Sequence, residues 1–110
     1  MDMSAKPASE TVKSDGGSEA VEAAWKLSRQ YHAARGERRW KAIARHIAYH
    51  GTTMGALSIN GIPSLKETFE PLVPEVRHVK NTNRYHRPAE VTEAEFTAML
   101  LEDLEEAILA

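Results

Sequence analysis

Cysteine is absent from this 110-residue chain. Its absence excludes disulfides, thiolate metal sites and a cysteine nucleophile, and it points to a reducing, cytoplasmic setting. Long apolar runs are missing as well. None approaches the roughly 20 residues that a membrane helix needs, so no membrane partner is expected. The N-terminus lacks the apolar stretch of a signal peptide. Neither sign of charge is in surplus: 14 Lys and Arg stand against 16 Asp and Glu, for a formal net charge of −2, which singles out no partner. The remainder, 42% hydrophobic and 27% charged, suits one small domain or part of a larger one, with a modest core.

Residues 1–15 are small and polar, offer little to bury, and read as a disordered N-terminal segment. Gly16-Gly17-Ser18 then opens a helix predicted to run to about Ala34. Ala20, Ala24, Leu27 and Tyr31 form its apolar stripe, widened by Val21 and Trp25, and Gly36 stops it. A helix start exposes unpaired N–H groups and the positive end of the dipole, so these residues suit either an anion seat or an ordinary cap by Ser18. Residues 38–50 fit a strand or a helix equally well by periodicity. Thr52 or Thr53 caps a short helix to about Ile59, closed by Asn60-Gly61, and Pro63 opens another brief turn to Phe69. Residues 76–80 are a short extended piece, and 81–88 a loop. Thr92 and Glu95 make a capping box. The helix they start carries Phe96, Met99, Leu100, Leu104, Ala107 and Ile108 on one face.

Two other functions compete for these residues. Lys26, Arg29, Arg35, Arg38, Arg39, Lys41 and Arg45, interleaved with Trp25, Tyr31, Trp40 and Tyr49, could make the basic 26–45 segment a nucleic-acid-binding module. A solvated face is favoured over it, because the aromatics fall on apolar faces and no nucleic-acid motif is present. The final acidic amphipathic helix could serve a small interaction module, although covering a parent domain's core suits it better. Of five histidines, only His46 and His50 stand at a spacing that suits metal. The glutamate of the metalloprotease pattern is missing, so no metal is expected.

The pair Gly16-Gly17-Ser18-Glu19-Ala20-Val21-Glu22-Ala23-Ala24 and Ile47-Ala48-Tyr49-His50-Gly51-Thr52-Thr53 resembles class III pyridoxal-phosphate-dependent aminotransferases. The likeness continues through Gly55-Ala56-Leu57-Ser58, Phe69-Glu70-Pro71-Leu72 and His78-Val79-Lys80-Asn81-Thr82-Asn83, and covers residues 16–110. It implies an α/β fold, a fragment of the large domain of a fold-type-I enzyme, with 41–46 as a strand. It also implies pyridoxal 5'-phosphate as cofactor, small-molecule amine and keto acid substrates, and a homodimer. On that likeness Gly17 and Ser18 hold the cofactor phosphate, Tyr49 stacks on the pyridine ring, and His50 shapes the pocket wall.

The family also uses a lysine that holds the cofactor and shuttles the proton, and an aspartate that keeps the pyridine nitrogen protonated. None of Lys6, Lys13, Lys26, Lys41, Lys66 and Lys80 matches that lysine's position, so no catalytic residue is assigned. The family's apolar strand before the glycine turn is replaced by polar residues 10–14. The expectation is therefore an incomplete chain, loosely folded or aggregation-prone, inactive alone, and binding the cofactor weakly or not at all. A remnant without catalysis is the alternative.

Overall fold

The computed structural model describes residues 16–110; the reading of residues 1–15 as disordered lies outside them. Helix α1 spans Gly17–Ala34. Gly16, in extended conformation, is its N-cap, so the cap expected of Ser18 moves two residues upstream. The covered face also differs from the predicted stripe. Ala20, Ala24, Leu27 and Tyr31 are exposed, while Ser18, Val21, Glu22, Trp25, Arg29 and His32 turn inward. Two polar members of this face, Ser18 and Arg29, have partners on other segments. Ser18 Oγ accepts the Thr52 N–H at 2.9 Å, and an Arg29 guanidinium nitrogen donates to the Trp40 carbonyl at 2.6 Å. Gly36, at φ 76°, adopts the left-handed conformation that ends the helix.

The ambiguous stretch is a strand, β1, over Ala42–Arg45. It pairs in parallel with β2, Val76–Val79, in the register Ala42 to Val76 through Arg45 to Val79. A parallel pair needs a crossover connection. Helices α2 (Met54–Ile59) and α3 (Pro63–Lys66), with a 3-10 turn at Glu67–Phe69, provide it. The core centres on α2, where Gly55, Ala56, Leu57 and Ser58 are buried together. Small side chains let backbones approach closely. A Cβ on Gly55 would lie 2.8 Å from the Glu22 carboxyl carbon of α1, and one on Gly61 would lie 2.9 Å from the Ile47 nitrogen beyond β1. Ser58 joins two segments: its hydroxyl donates to Met54 O at 2.7 Å and accepts from Val73 N–H at 2.9 Å.

Helix α4, Glu93–Leu109, begins at Thr92 as predicted. Thr92 Oγ1 accepts the Glu95 N–H at 3.1 Å and donates to the Glu95 carboxylate at 3.0 Å. Glu95 thus reaches the capping hydroxyl rather than the Thr92 backbone. The covered face of α4 holds Phe96, Leu100, Asp103 and Ala107, and Met99, Leu104 and Ile108 of the predicted apolar face are exposed. Asp103 is the member that the hydrophobic pattern misses. Its carboxylate accepts the Lys80 N–H at 2.7 Å, docking α4 on the end of β2.

Candidate functional site

The two glycine-bearing motifs meet at the N-terminal end of α1. The first intrahelical bond runs from Ala20 N–H to Gly16 O at 3.0 Å, so the amides of Gly17, Ser18 and Glu19 precede the helical ladder. Nothing lies within 4 Å of a Cβ built on Gly16 or Gly17, which leaves the approach to those amides open. On the other side Gly51, at φ 137°, is pressed against the helix. A Cβ there would sit 2.5 Å from Ser18 Oγ and 2.8 Å from Ala56 Cβ. Only glycine accepts both that backbone and that proximity. Ser18 accepts from Thr52 N–H with its oxygen, and its own hydrogen has no acceptor among the described residues. An anion set at this helix end meets amide donors, the positive end of the dipole and a hydroxyl hydrogen free to donate.

The loop that carries Gly51 is fixed from below. Asn60 is fully buried; its amide nitrogen donates to Gly51 O at 3.4 Å and its oxygen accepts Ile62 N–H at 2.9 Å. Ile47 N–H donates to Gly61 O, and Gly61 N–H to Ala48 O, both at 2.8 Å. Between these bonds Ile47 sits at φ 57°, a conformation that a β-branched residue takes only where its surroundings enforce it. The bend carries Tyr49 past the end of β1. Tyr49 is 61% exposed, so its ring is available to a ligand.

His50 takes a different direction. It lines a cavity of about 450 Å³ with Trp25, β1, Val79 and Leu100, Leu101 and Leu104 of α4, and its Nε2 is buried without a partner. Neither Ser18 nor Tyr49 lines that cavity. The structure therefore brings Ser18 onto the Tyr49 loop and sends His50 beneath the sheet. On β2, His78 Nε2 lies 3.2 Å from Ile59 O, and its ring stacks on His46 with centroids 5.5 Å apart. Burial, reinforced by the Lys66 ammonium and by His46, holds the His78 imidazole below its ordinary value.

Sequence reasoning missed Asn60 and the Gly51–Ser18 contact. Asn60-Gly61 signals a turn, and nothing in that dipeptide marks the amide as a buried clamp. No group of three or more His, Cys, Asp or Glu among the described residues is placed to hold a metal ion. No helix among them is long and apolar enough to cross a membrane.

The family model "Aminotransferase class-III" matches residues 2–109. A probable aminotransferase of Mycobacterium tuberculosis is 48% identical over 94 residues, which are 84% of this chain and 20% of that protein. The mitochondrial gamma aminobutyrate transaminase 1 of Solanum lycopersicum is 39% identical over 96% of this chain and 21% of its own length. Among solved structures, the omega transaminase of Pseudomonas jessenii in complex with PMP superposes with a TM-score of 0.81 at 31% identity, over 87% of this chain and 22% of that one. The chain thus spans about a fifth of the length of the relatives it matches.

Proposed function

The chain belongs to the class-III aminotransferase family, and we propose that it supplies the cofactor seat of a pyridoxal-phosphate-dependent transaminase. The observation that carries this reading is the contact between the motifs: Ser18 Oγ bonded to Thr52 N–H, with Gly51 packed on Ser18. The amides of Gly17 and Ser18 and the Ser18 hydroxyl would hold the cofactor phosphate, for which a helix N-terminus with open glycines is suited. The exposed Tyr49 ring would stack on the pyridine ring, an offset stack contributing on the order of 1 kcal/mol beyond burial. His50 would shape the pocket wall from the sheet side, where it lines the neighbouring cavity.

When bound, pyridoxal phosphate supplies the electron sink that delocalises the carbanion left when the substrate loses its alpha proton. This chain's part is to bind and orient. Lys26 borders a small hollow with Glu22, Arg29 and Val73. Lys80 lines the cavity beneath the sheet, and Lys66 acts on His78. No lysine is assigned the proton transfer. For the whole protein the reading is amino transfer between an amine or omega-amino acid and a keto acid, by a cytoplasmic homodimer without nucleic-acid or membrane partners. Support for the donor class comes from relatives whose names specify gamma aminobutyrate and omega transaminases.

The test is a titration of the 110-residue chain with pyridoxal phosphate and with pyridoxal. Weak binding that requires the phosphate is expected, reduced about tenfold in Ser18→Ala by loss of one charge-assisted hydrogen bond. Borohydride treatment should leave no single lysine labelled stoichiometrically. Equal binding of the two compounds, or an unaltered Ser18→Ala, would overturn the reading.

A further inference from the structure

The basic segment at the far end of α1 is a solvated face, as its sequence predicts, with Arg35, Arg38 and Arg39 exposed, and it borders a hollow. A hollow of about 230 Å³ is lined by Arg29, Ala33, Glu37, Arg38, Arg39 and Trp40. Trp40 does not fall on an apolar face: it is 42% exposed. Its backbone is held by the bond from Arg29 to the Trp40 carbonyl, and its side chain lines the hollow.

Charge here is unbalanced. The carboxylate of Glu37 is shared, with Arg39 Nε at 2.6 Å and Arg35 Nε at 3.4 Å, and the Arg39 bond holds it below the usual carboxylate range. Arg38 is exposed and has no partner among the described residues, and Arg29 Nε is buried without one. The acidic α4 does not compensate by contact. The ion pairs found among the described residues are the two at Glu37 and one between Arg84 and Glu93.

We propose that this hollow binds a nucleoside diphosphate, its phosphates on the guanidinium groups of Arg38 and Arg39 and its base on the Trp40 ring. The Arg38 guanidinium, with the terminal nitrogens of Arg39 that its Nε bond to Glu37 leaves over, offers donors to a multiply charged oxyanion, which such groups grip bidentately. An exposed indole beside these cations offers a face on which a flat ring can stack. The hollow is small for a whole nucleotide but takes the phosphate end, leaving the base outside on Trp40. The site shares no residue with the Gly17, Ser18 and Tyr49 seat, and it does not rest on the transaminase reading.

ADP is the probe, followed by calorimetry and tryptophan fluorescence on the full chain. Pyrophosphate, adenosine and a short single-stranded oligonucleotide serve as controls. ADP should bind more tightly than pyrophosphate or adenosine and quench the indole emission. Arg38→Ala, an exposed and unpartnered position, should keep the fold and weaken ADP about tenfold. Trp40→Ala keeps the backbone carbonyl that Arg29 holds, and should abolish the preference for ADP over pyrophosphate. Ser18→Ala should leave ADP binding unchanged. The proposal is overturned if Arg38→Ala and Trp40→Ala bind ADP like the parent chain, or if pyrophosphate binds as well as ADP. Loss of ADP binding in Ser18→Ala would place the ligand at the other helix end and overturn it too. An oligonucleotide that outcompetes ADP at equal phosphate concentration would show a strand-binding surface instead.

Discussion

The joint between α1, the Tyr49 loop and α2 differs sharply from α4 in how it is held. Around α2 the chain packs through glycines, alanines and buried polar clamps, and Gly51, Gly55, Ala56, Leu57, Ser58, Asn60 and Gly61 are all buried. Along α4 only Phe96 is buried, and Leu101, Leu104, Ile108 and Leu109 are exposed. Apolar content therefore does not decide where this molecule is tight. Close backbone approach and satisfied polar groups do, because a clash or an unpaired buried group has no way to relax. The joint carries the proposed cofactor seat, and α4 serves as a cover attached at Phe96 and Asp103.

Substitutions can break this contrast, beginning with the largest effect. Gly61→Ala puts a methyl group against Arg45 O, His46 Cα and Ile47 N, all of them backbone. It should cost about 3 kcal/mol, read as a fall in the urea midpoint. Gly55→Ala meets only the flexible Glu22 carboxylate end and should cost well under half as much. Next, Asn60→Ala leaves Gly51 O and Ile62 N–H without their amide partner, a loss of about 2 kcal/mol. Loosening of the Gly51 loop should appear as faster amide exchange at Thr52. Thr92→Ala removes a helix cap on the loosely held side, for about 1 kcal/mol, and should leave Thr52 exchange unchanged.

The smallest effect is in pH. The folded chain holds His78 below its ordinary value of 6.5, so below that value the unfolded chain binds more protons. Stability should therefore rise with pH through this window, and fall as pH drops from 7.5 toward 5.5. His78→Asn should flatten that slope in urea melts measured at the two pH values.

Much of this architecture was legible in the residues, for identifiable reasons. Gly36 as a stop, Thr92 with Glu95 as a start and Pro63 as a first-turn residue are local signals, and local backbone chemistry suffices to read them. Strand β1 needed the family likeness, since Ala42 to Ile47 fits either period. What failed was orientation about the α1 axis. A stripe of Ala20, Ala24, Leu27 and Tyr31 outweighed a face containing Ser18, Glu22 and Arg29. Ser18 and Arg29 find their partners at Thr52 and Trp40, and Glu22 packs on Gly55; the first two pairings join residues distant along the chain or across a turn. Asp103 was hidden for the same reason: its partner is a backbone N–H at Lys80, which no hydrophobic pattern reports. Within the site, Ser18 and Gly51 were legible as separate motifs, whereas their contact, and the turn of His50 under the sheet, depend on the left-handed bend at Ile47.

The most direct test of the shared seat is an amide chemical-shift map of the chain during titration with pyridoxal phosphate. Gly17, Ser18 and Thr52 should shift together along one saturation curve, with Tyr49 ring resonances following it. Shifts at α1 without Thr52 and Tyr49, or shifts confined to residues elsewhere, would contradict the account.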